Sequence, residues 1–354
     1  MKLFKNLKAL FSAVAVSLVL NTALHADEDF QRFSALPVAS YSEETKIQYG
    51  AMLILFFKPV EGGSHVSSVD VIALGTQNKQ YQFRTKPELY LLQDHIHIPS
   101  IFKVSNWCGK IFERGSAGSF DDIGSYDQVS LYAKVPIEMN FGIPGTLPFR
   151  YGIVGETEYR DNSLNEDFNA KRFNDGYFAG GGYRLVSDLR DNKNWPTLGY
   201  YASFEQILYG GDFKFHTEEL DLRAYTPLFW TTSIAAAVLW KQSRGDVPFG
   251  YLAGPDGVER FRGVDPGLWN DTQALIAQLE FRKTLFWRLA GTIFGEWMQS
   301  GPHFGALFRD DFHYAVGFGG RLALNKSEKL HARGDLSLID GKHIGLTVYL
   351  REAF

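Results

Sequence analysis

Apolar and polar positions alternate along most of this chain. Between 312 and 324, Phe312, Tyr314, Val316, Phe318, Leu322 and Leu324 fall on one face, against His313, Ala315, Gly317, Gly319, Arg321 and Ala323. Leu330, Ala332, Leu336 and Leu338 oppose Lys329, His331, Arg333, Asp335 and Ser337 in the same way. Val129, Leu131, Ala133, Val135, Ile137 and Met139 oppose Gln128, Ser130, Tyr132, Lys134, Glu138 and Asn140. A period of two is the mark of a strand, whose successive side chains point to opposite faces. These runs exceed the ~5–6 residues usual in soluble sheets. Long strands with one apolar and one charged face suit a transmembrane barrel, lipid outside and polar groups inside.

Fifteen such segments can be marked: 46–58, 65–77, 80–92, 94–104, 127–140, 147–160, 177–188, 197–209, 213–226, 230–241, 271–284, 286–299, 312–324, 329–339 and 343–354. Bacterial single-chain barrels have an even number of strands, so one segment before 127 is missed or wrongly split. The reading is an all-β, antiparallel transmembrane β-barrel of about sixteen strands, with fourteen as the alternative. Loops 161–176, 242–270 and 300–311 are long and fall on one side. The turns near 142–146, 227–229, 284–286 and 325–328 are short and fall on the other. That asymmetry puts the long loops outside the cell and the short turns in the periplasm.

Tryptophan spacing agrees. Trp230 and Trp240, and Trp287 and Trp297, each lie ten residues apart on an apolar face. Ten strand residues run ~33 Å, and a tilt of ~40° projects this to ~25 Å, the height of an outer-membrane apolar band. The four are expected to mark two interfacial girdles. At the chain's end Ile344, Leu346, Val348, Leu350 and Phe354 alternate up to a final phenylalanine, with Glu352 as a polar interruption. Phe354, Leu350 and Val348 resemble the C-terminal sorting signal of outer-membrane barrels.

The N-terminus reads as an address. Lys2, Lys5 and Lys8 precede an apolar run from Ala9 to Leu20, and Ala26 closes the segment. This is the layout of a secretory signal, expected at 1–26. Residues 27–45 are expected to be a periplasmic lead-in and 46–354 the barrel. The protein is thereby placed in the outer membrane of a Gram-negative bacterium.

Composition narrows the chemistry. Of 354 residues, 36 are Lys or Arg and 40 are Asp or Glu. The net charge of −4 gives no electrostatic reason to expect nucleic acid. The single Cys108 excludes an internal disulfide framework and a cysteine-rich zinc site. His95 and His97 share a strand face, but two histidines without a third ligand read better as lumen-facing polar residues than as a metal site. Gly180-Gly181-Gly182 lacks the Gly-Lys-Ser/Thr of a phosphate loop. No Gly-x-Ser-x-Gly or His-Glu-x-x-His is present. The expectation is a non-enzyme without cofactor or metal.

The most specific stretch is the loop 242–270, with Glu259-Arg260-Phe261-Arg262-Gly263 at its heart. The strand after it carries Glu280 and Arg282 on its inward face, and the next carries Phe294-Gly295-Glu296. Upstream stand Asp188-Leu189-Arg190 with Pro196 and Gly199, then Asp221-Leu222-Arg223 with Tyr225 and Pro227. Near the start, Pro37, Tyr41 and Tyr49-Gly50 complete the series. In order and spacing these stretches resemble the barrel shared by the BamA and TamA assembly proteins, the bacterial surface antigen family. The resemblance covers 37–354. It implies that the loop folds back into the lumen, where Arg262 and Gly263 meet the Phe294 and Glu296 motif as a brace. Val264, where the family prefers an aromatic, and Met298, where it prefers glycine, depart from the pattern. The resemblance also implies a seam between 46–58 and 343–354, with Gly50 and Gly345 able to weaken it. Expected partners are outer-membrane lipids, unfolded outer-membrane proteins, and the machinery that inserts the barrel itself. The family's periplasmic POTRA domains have no room in this chain. The implied role is outer-membrane protein assembly or polypeptide translocation; the alternative is a passive pore or structural barrel.

Overall fold

The computed structural model describes residues 32–42, 46–59, 61–63, 65–141, 149–164, 173–309, 311–325 and 329–354. The leader expected at 1–26 lies outside the described residues. The first half of the sheet comprises β1 (Phe33–Ser42), β2 (Lys46–Phe57), β3 (Ser67–Thr76), β4 (Tyr81–Leu91), β5 (Ile96–Pro99), β6 (Ile101–Ile111), β7 (Gly124–Asn140), β8 (Phe149–Leu164) and β9 (Gly176–Asp188). The second half comprises β10 (Gly199–Gly211), β11 (Phe215–Pro227), β12 (Thr232–Gly245), β13 (Gln273–Thr284), β14 (Leu289–Gly301), β15 (His313–Asn325), β16 (Leu330–Ile339) and β17 (His343–Leu350). A 3₁₀ turn spans Phe304–Phe308.

Neighbouring strands pair antiparallel in a continuous meander. β5 and β6 both lie between β4 and β7 and are separated by Ser100 alone. They are two halves of one strand, so the seventeen segments make sixteen strands across the wall. The strand that the pattern missed is β1. It occupies Phe33–Ser42, inside the stretch expected as a lead-in, and pairs with β2 along its whole length. Its weak alternation has a plain cause: small residues, and Pro37 in mid-strand, which an edge strand tolerates because no ladder bond is lost on its free side. The barrel wall therefore begins before 46, and the first strand at the seam is β1 rather than 46–58.

Burial follows the alternation. On β14, Ala290, Thr292, Phe294, Glu296 and Met298 are buried, while Ile293 is exposed. On β17, Gly345 and Thr347 are buried, while Ile344, Leu346 and Val348 are exposed. The exposed apolar set is the lipid-facing band, and the buried set faces the lumen.

The two ends of the meander overlap. Leu330 and Leu350 lie on the outward parity of β16 and β17, yet both are buried. They share an apolar cluster with Met52, Ile54, Phe56 and Ile72 from the inward parity of β2 and β3. Arg84 on β4 donates to the Tyr349 hydroxyl at 3.0 Å, and Arg351 pairs with Asp70 on β3 at 3.0 Å. The end of β17 thus passes beneath the inner face of β2–β4.

The chain end also departs from expectation. Apolar alternation stops at Leu350; Arg351 takes a left-handed φ of 68°, which turns the chain inward. Phe354 is buried within the barrel beside Tyr225, Ala235, Ala237 and Ala353. Val348 is exposed, Leu350 lies in the overlap, and Glu352 is buried against Arg321. Phe354, Leu350 and Val348 thus lie in three different environments rather than along one lipid-facing side.

Trp230 and Trp287 are likewise not strand residues. β12 and β14 begin at Thr232 and Leu289, so both tryptophans sit in the preceding turns. Trp240 and Trp297 do lie on the outward faces of β12 and β14, half-buried.

Candidate functional site

The loop 246–272 connects β12 to β13 and folds back into the lumen, fixed near its base by a bridge between Ala253 and Asp271. Asp256 organises its tip: one carboxylate oxygen accepts the backbone N–H groups of Val258, Glu259 and Arg260 at 2.7–2.8 Å. This turn aims Arg260 and Arg262 at the wall.

Arg262 is fully buried. Its Nε donates to Glu296 Oε1 at 2.6 Å, and its backbone N–H donates to Glu296 Oε2 at 2.6 Å. Nη1 reaches Glu280 at 2.9 Å and Asp335 at 3.4 Å. Its guanidinium carbon stands 3.5 Å from the Phe294 ring centroid, so the aromatic face supplies a further contact for the cation. Gln278 donates to Glu296 Oε1 at 2.9 Å. The structure therefore brings together Arg262, Phe294 and Glu296, and adds Glu280 and Asp335. A guanidinium buried this deeply is tolerable only with carboxylates and hydrogen bonds around it.

Glu280 and Arg282 share the network. Arg282 donates to Glu280 at 2.9 Å and to the Phe354 carbonyl at 2.9 Å, so the chain's last residues are tied to the same cluster. Arg321 binds Glu352 at 2.8 Å and Asp335 at 2.5 Å. Arg333 binds Asp335 at 2.7 Å and the loop carbonyl of Val258 at 2.8 Å. Arg260, two residues before the expected brace, bonds Asp221 at 2.7 Å and Gln278 at 2.6 Å. Asp221 also holds Arg223. Arg321, Arg333 and Asp335 were visible only as inward polar positions, since alternation shows the side they face but not the partner they meet, and Arg260 only as a residue of the loop's central stretch.

Nearer the long-loop rim the contact becomes apolar. Phe261, Val264, Leu268 and Trp269 of the loop pack against Leu239, Ile276, Met298, Ala315 and Ile339 of the wall. Val264 and Met298, the two departures from the family pattern, meet in this one cluster. The loop 112–123 adds Phe112 and Phe120. It also accepts the Trp269 indole N–H at the Gly118 carbonyl, 2.8 Å, and pairs Arg114 with Asp271 at 2.8 Å. Trp269 stacks on His313 at 3.4 Å, and His313 is held by Asp340 and the Ser116 carbonyl. This second loop carried no sequence motif.

Other candidates separate. His95 sits in the turn after β4, while His97 on β5 bonds Glu138 at 2.8 Å and Glu88 at 3.4 Å. Among the described residues no cluster of His, Cys, Asp or Glu is arranged to hold a metal. In the turn 189–198, Asp191 accepts the Thr197 N–H, the Leu198 N–H and the Thr197 hydroxyl. Burial alone favours its neutral form, but these bonds hold its carboxyl below the usual carboxylate range.

A sixteen-stranded wall with a long loop pinned inside by a buried arginine defines an outer-membrane barrel whose lumen holds its own loop. A family model described as the Omp85 superfamily domain matches residues 72–262, more than half of the chain. The chain belongs to the Omp85 superfamily. Its fold is similar to BamA from Haemophilus ducreyi lacking POTRA domains 1–3, with a TM-score of 0.57 and 12% identity over 91% of this chain and 70% of that one. It is also similar to CdiB from Acinetobacter baumannii, with a TM-score of 0.56 and 12% identity over 90% of this chain and 59% of that one. No curated protein matches the chain in sequence.

Proposed function

We propose that this barrel acts on other polypeptides at a Gram-negative outer membrane, in barrel assembly or in translocation, and is neither an enzyme nor a passive pore. The observation that carries this reading is the loop held inside the lumen by its buried arginine. Arg262 fixes the loop 246–272 to three carboxylates, and the apolar cluster around Phe261 and Trp269 packs the loop against the wall above it. A diffusion pore needs that space open. The second support is the overlap of the wall's ends, where side chains of β2–β4 meet β16–β17. Strand edges in lipid must find partners, so a wall that parts here offers a template for an incoming strand. The partners in this reading are unfolded outer-membrane polypeptides, the surrounding lipid, and the machinery that inserts this barrel.

Reconstitution tests the reading. Vesicles containing the purified protein should fold a denatured test barrel several-fold faster than empty vesicles, and planar bilayers should show no steady conductance. Unchanged folding together with a stable open channel would favour the pore.

A further inference from the structure

Two adjacent periplasmic turns carry the same tripeptide: Leu228-Phe229-Trp230 between β11 and β12, and Leu285-Phe286-Trp287 between β13 and β14. They are closed alike. The leucine N–H donates to the carbonyl four residues on, Thr232 or Leu289, at 2.9 Å in each turn. The N–H of Thr232 or Leu289 returns to the phenylalanine carbonyl at 3.1 and 2.9 Å. The turns are also stitched together: Thr284 N–H donates to the Thr231 carbonyl at 3.2 Å, and the Thr231 hydroxyl to the Thr284 carbonyl at 2.7 Å.

Local backbone energetics do not explain the tryptophans. Trp230 and Trp287 have φ of 52° and 56°, in the left-handed region. Hairpin turns fill such positions with glycine or asparagine, and a bulky residue is disfavoured there. Nor does packing within the chain explain them. All six side chains are exposed, Trp230 at 89%. The turns contain no acid; Lys283 and Arg288 flank the second, and the Lys283 ammonium stands 6.0 Å from the Trp230 ring centroid. The patch continues the lipid-facing residues Val238, Leu279, Phe281 and Ile293. Other turns on this rim differ: 92–95 carries Gln93, Asp94 and His95, and 189–198 carries Arg190, Asp191, Asn192 and Lys193.

We propose that the paired Leu-Phe-Trp turns are a one-sided anchor in the periplasmic phospholipid leaflet, seating β11–β14 more deeply than the rest of the rim. Aromatic side chains partition to the headgroup level, and the exposed Lys283 ammonium meets lipid phosphate, while Arg288 is held by the Ala323 and Leu324 carbonyls. Continuity with the lipid-facing band, and an exposed cation without acids, favour a phospholipid surface over a protein partner.

The test uses the full chain in phospholipid vesicles with lipids brominated near the headgroup. Wild type is compared with Trp230→Gly/Trp287→Gly, a variant that suits the backbone and keeps the other tryptophans. The difference between the two emission spectra isolates this pair. The expected difference spectrum is blue-shifted and strongly quenched by the shallow bromines, and the variant keeps its heat-modifiable folded band. A difference spectrum like that of water-exposed tryptophan, unquenched by bromine, would overturn the proposal. So would quenching absent in vesicles with a blue shift appearing only on adding periplasmic extract, which would assign the patch to a protein.

Discussion

Gly263 of the inward loop and Gly345 of β17 lie back to back. A methyl group on Gly345 would stand 2.4 Å from the Gly263 Cα, and one on Gly263 would stand 2.8 Å from the Gly345 Cα. Gly263 also has a φ of 93°, which a side chain would strain. The loop seats Arg262 only because the wall opposite it is bare. Gly345→Ala tests sterics alone. It should destabilise by about 1–3 kcal/mol, the usual cost of overpacking, and raise protease cleavage within 246–272. Gly334→Ala is the control, because a Cβ there meets nothing within 4 Å. Equal behaviour of the two variants would contradict the close seat.

The carboxylate cage makes a charge prediction. Arg262→Ala strips Glu296 of its cation and takes one guanidinium contact each from Glu280 and Asp335, which keep Arg282, Arg321 and Arg333. Removing one partner of a buried ion pair costs about 3–5 kcal/mol. Arg262→Glu should be worse, since it adds a fourth carboxylate to the cage. Glu296→Arg should fail for the opposite reason, with two guanidinium groups in contact. Combining the two reversals should recover part of the thermal stability, read from the temperature at which the folded band is lost on a gel. If both singles are defective and the double shows no recovery, the pair is not the brace.

The turn 189–198 carries a pH dependence. The folded-state pKa of Asp191 is depressed, so its stabilising effect is present above the ordinary aspartate range and is lost as pH falls through the folded value. Proteolytic sensitivity of this turn should rise on acidification below about pH 4, the usual aspartate range. Asp191→Asn should be sensitive already at neutral pH and show little further change. An acid response identical in the variant would assign the effect to another group.

The sequence showed the wall better than the site. Periodicity located fifteen strands and the side each residue faces, because lipid and lumen impose opposite chemistry at alternate positions. It missed β1, where Pro37 and small residues blunt the contrast. It placed Trp230 and Trp287 in strands because the apolar Leu-Phe-Trp run continues the lipid-facing pattern into each turn. Family resemblance supplied Arg262, Phe294 and Glu296 as a trio. It did not supply Asp335, Arg333 or Arg321, which reach the trio only through the curvature of the wall. The inward turn of the tail was not legible, because a left-handed φ at Arg351 ends an alternation that the residue types alone continue.

The central claim, that this braced barrel acts on other outer-membrane polypeptides, is tested most directly in its native host. Deletion is followed by quantification of outer-membrane proteins, with lipid composition and general export as controls. Selective depletion of other barrels or surface-exported polypeptides is predicted, restored by wild type but not by Arg262→Glu produced to the same level. An unchanged outer-membrane protein profile, or equal restoration by Arg262→Glu, would contradict it.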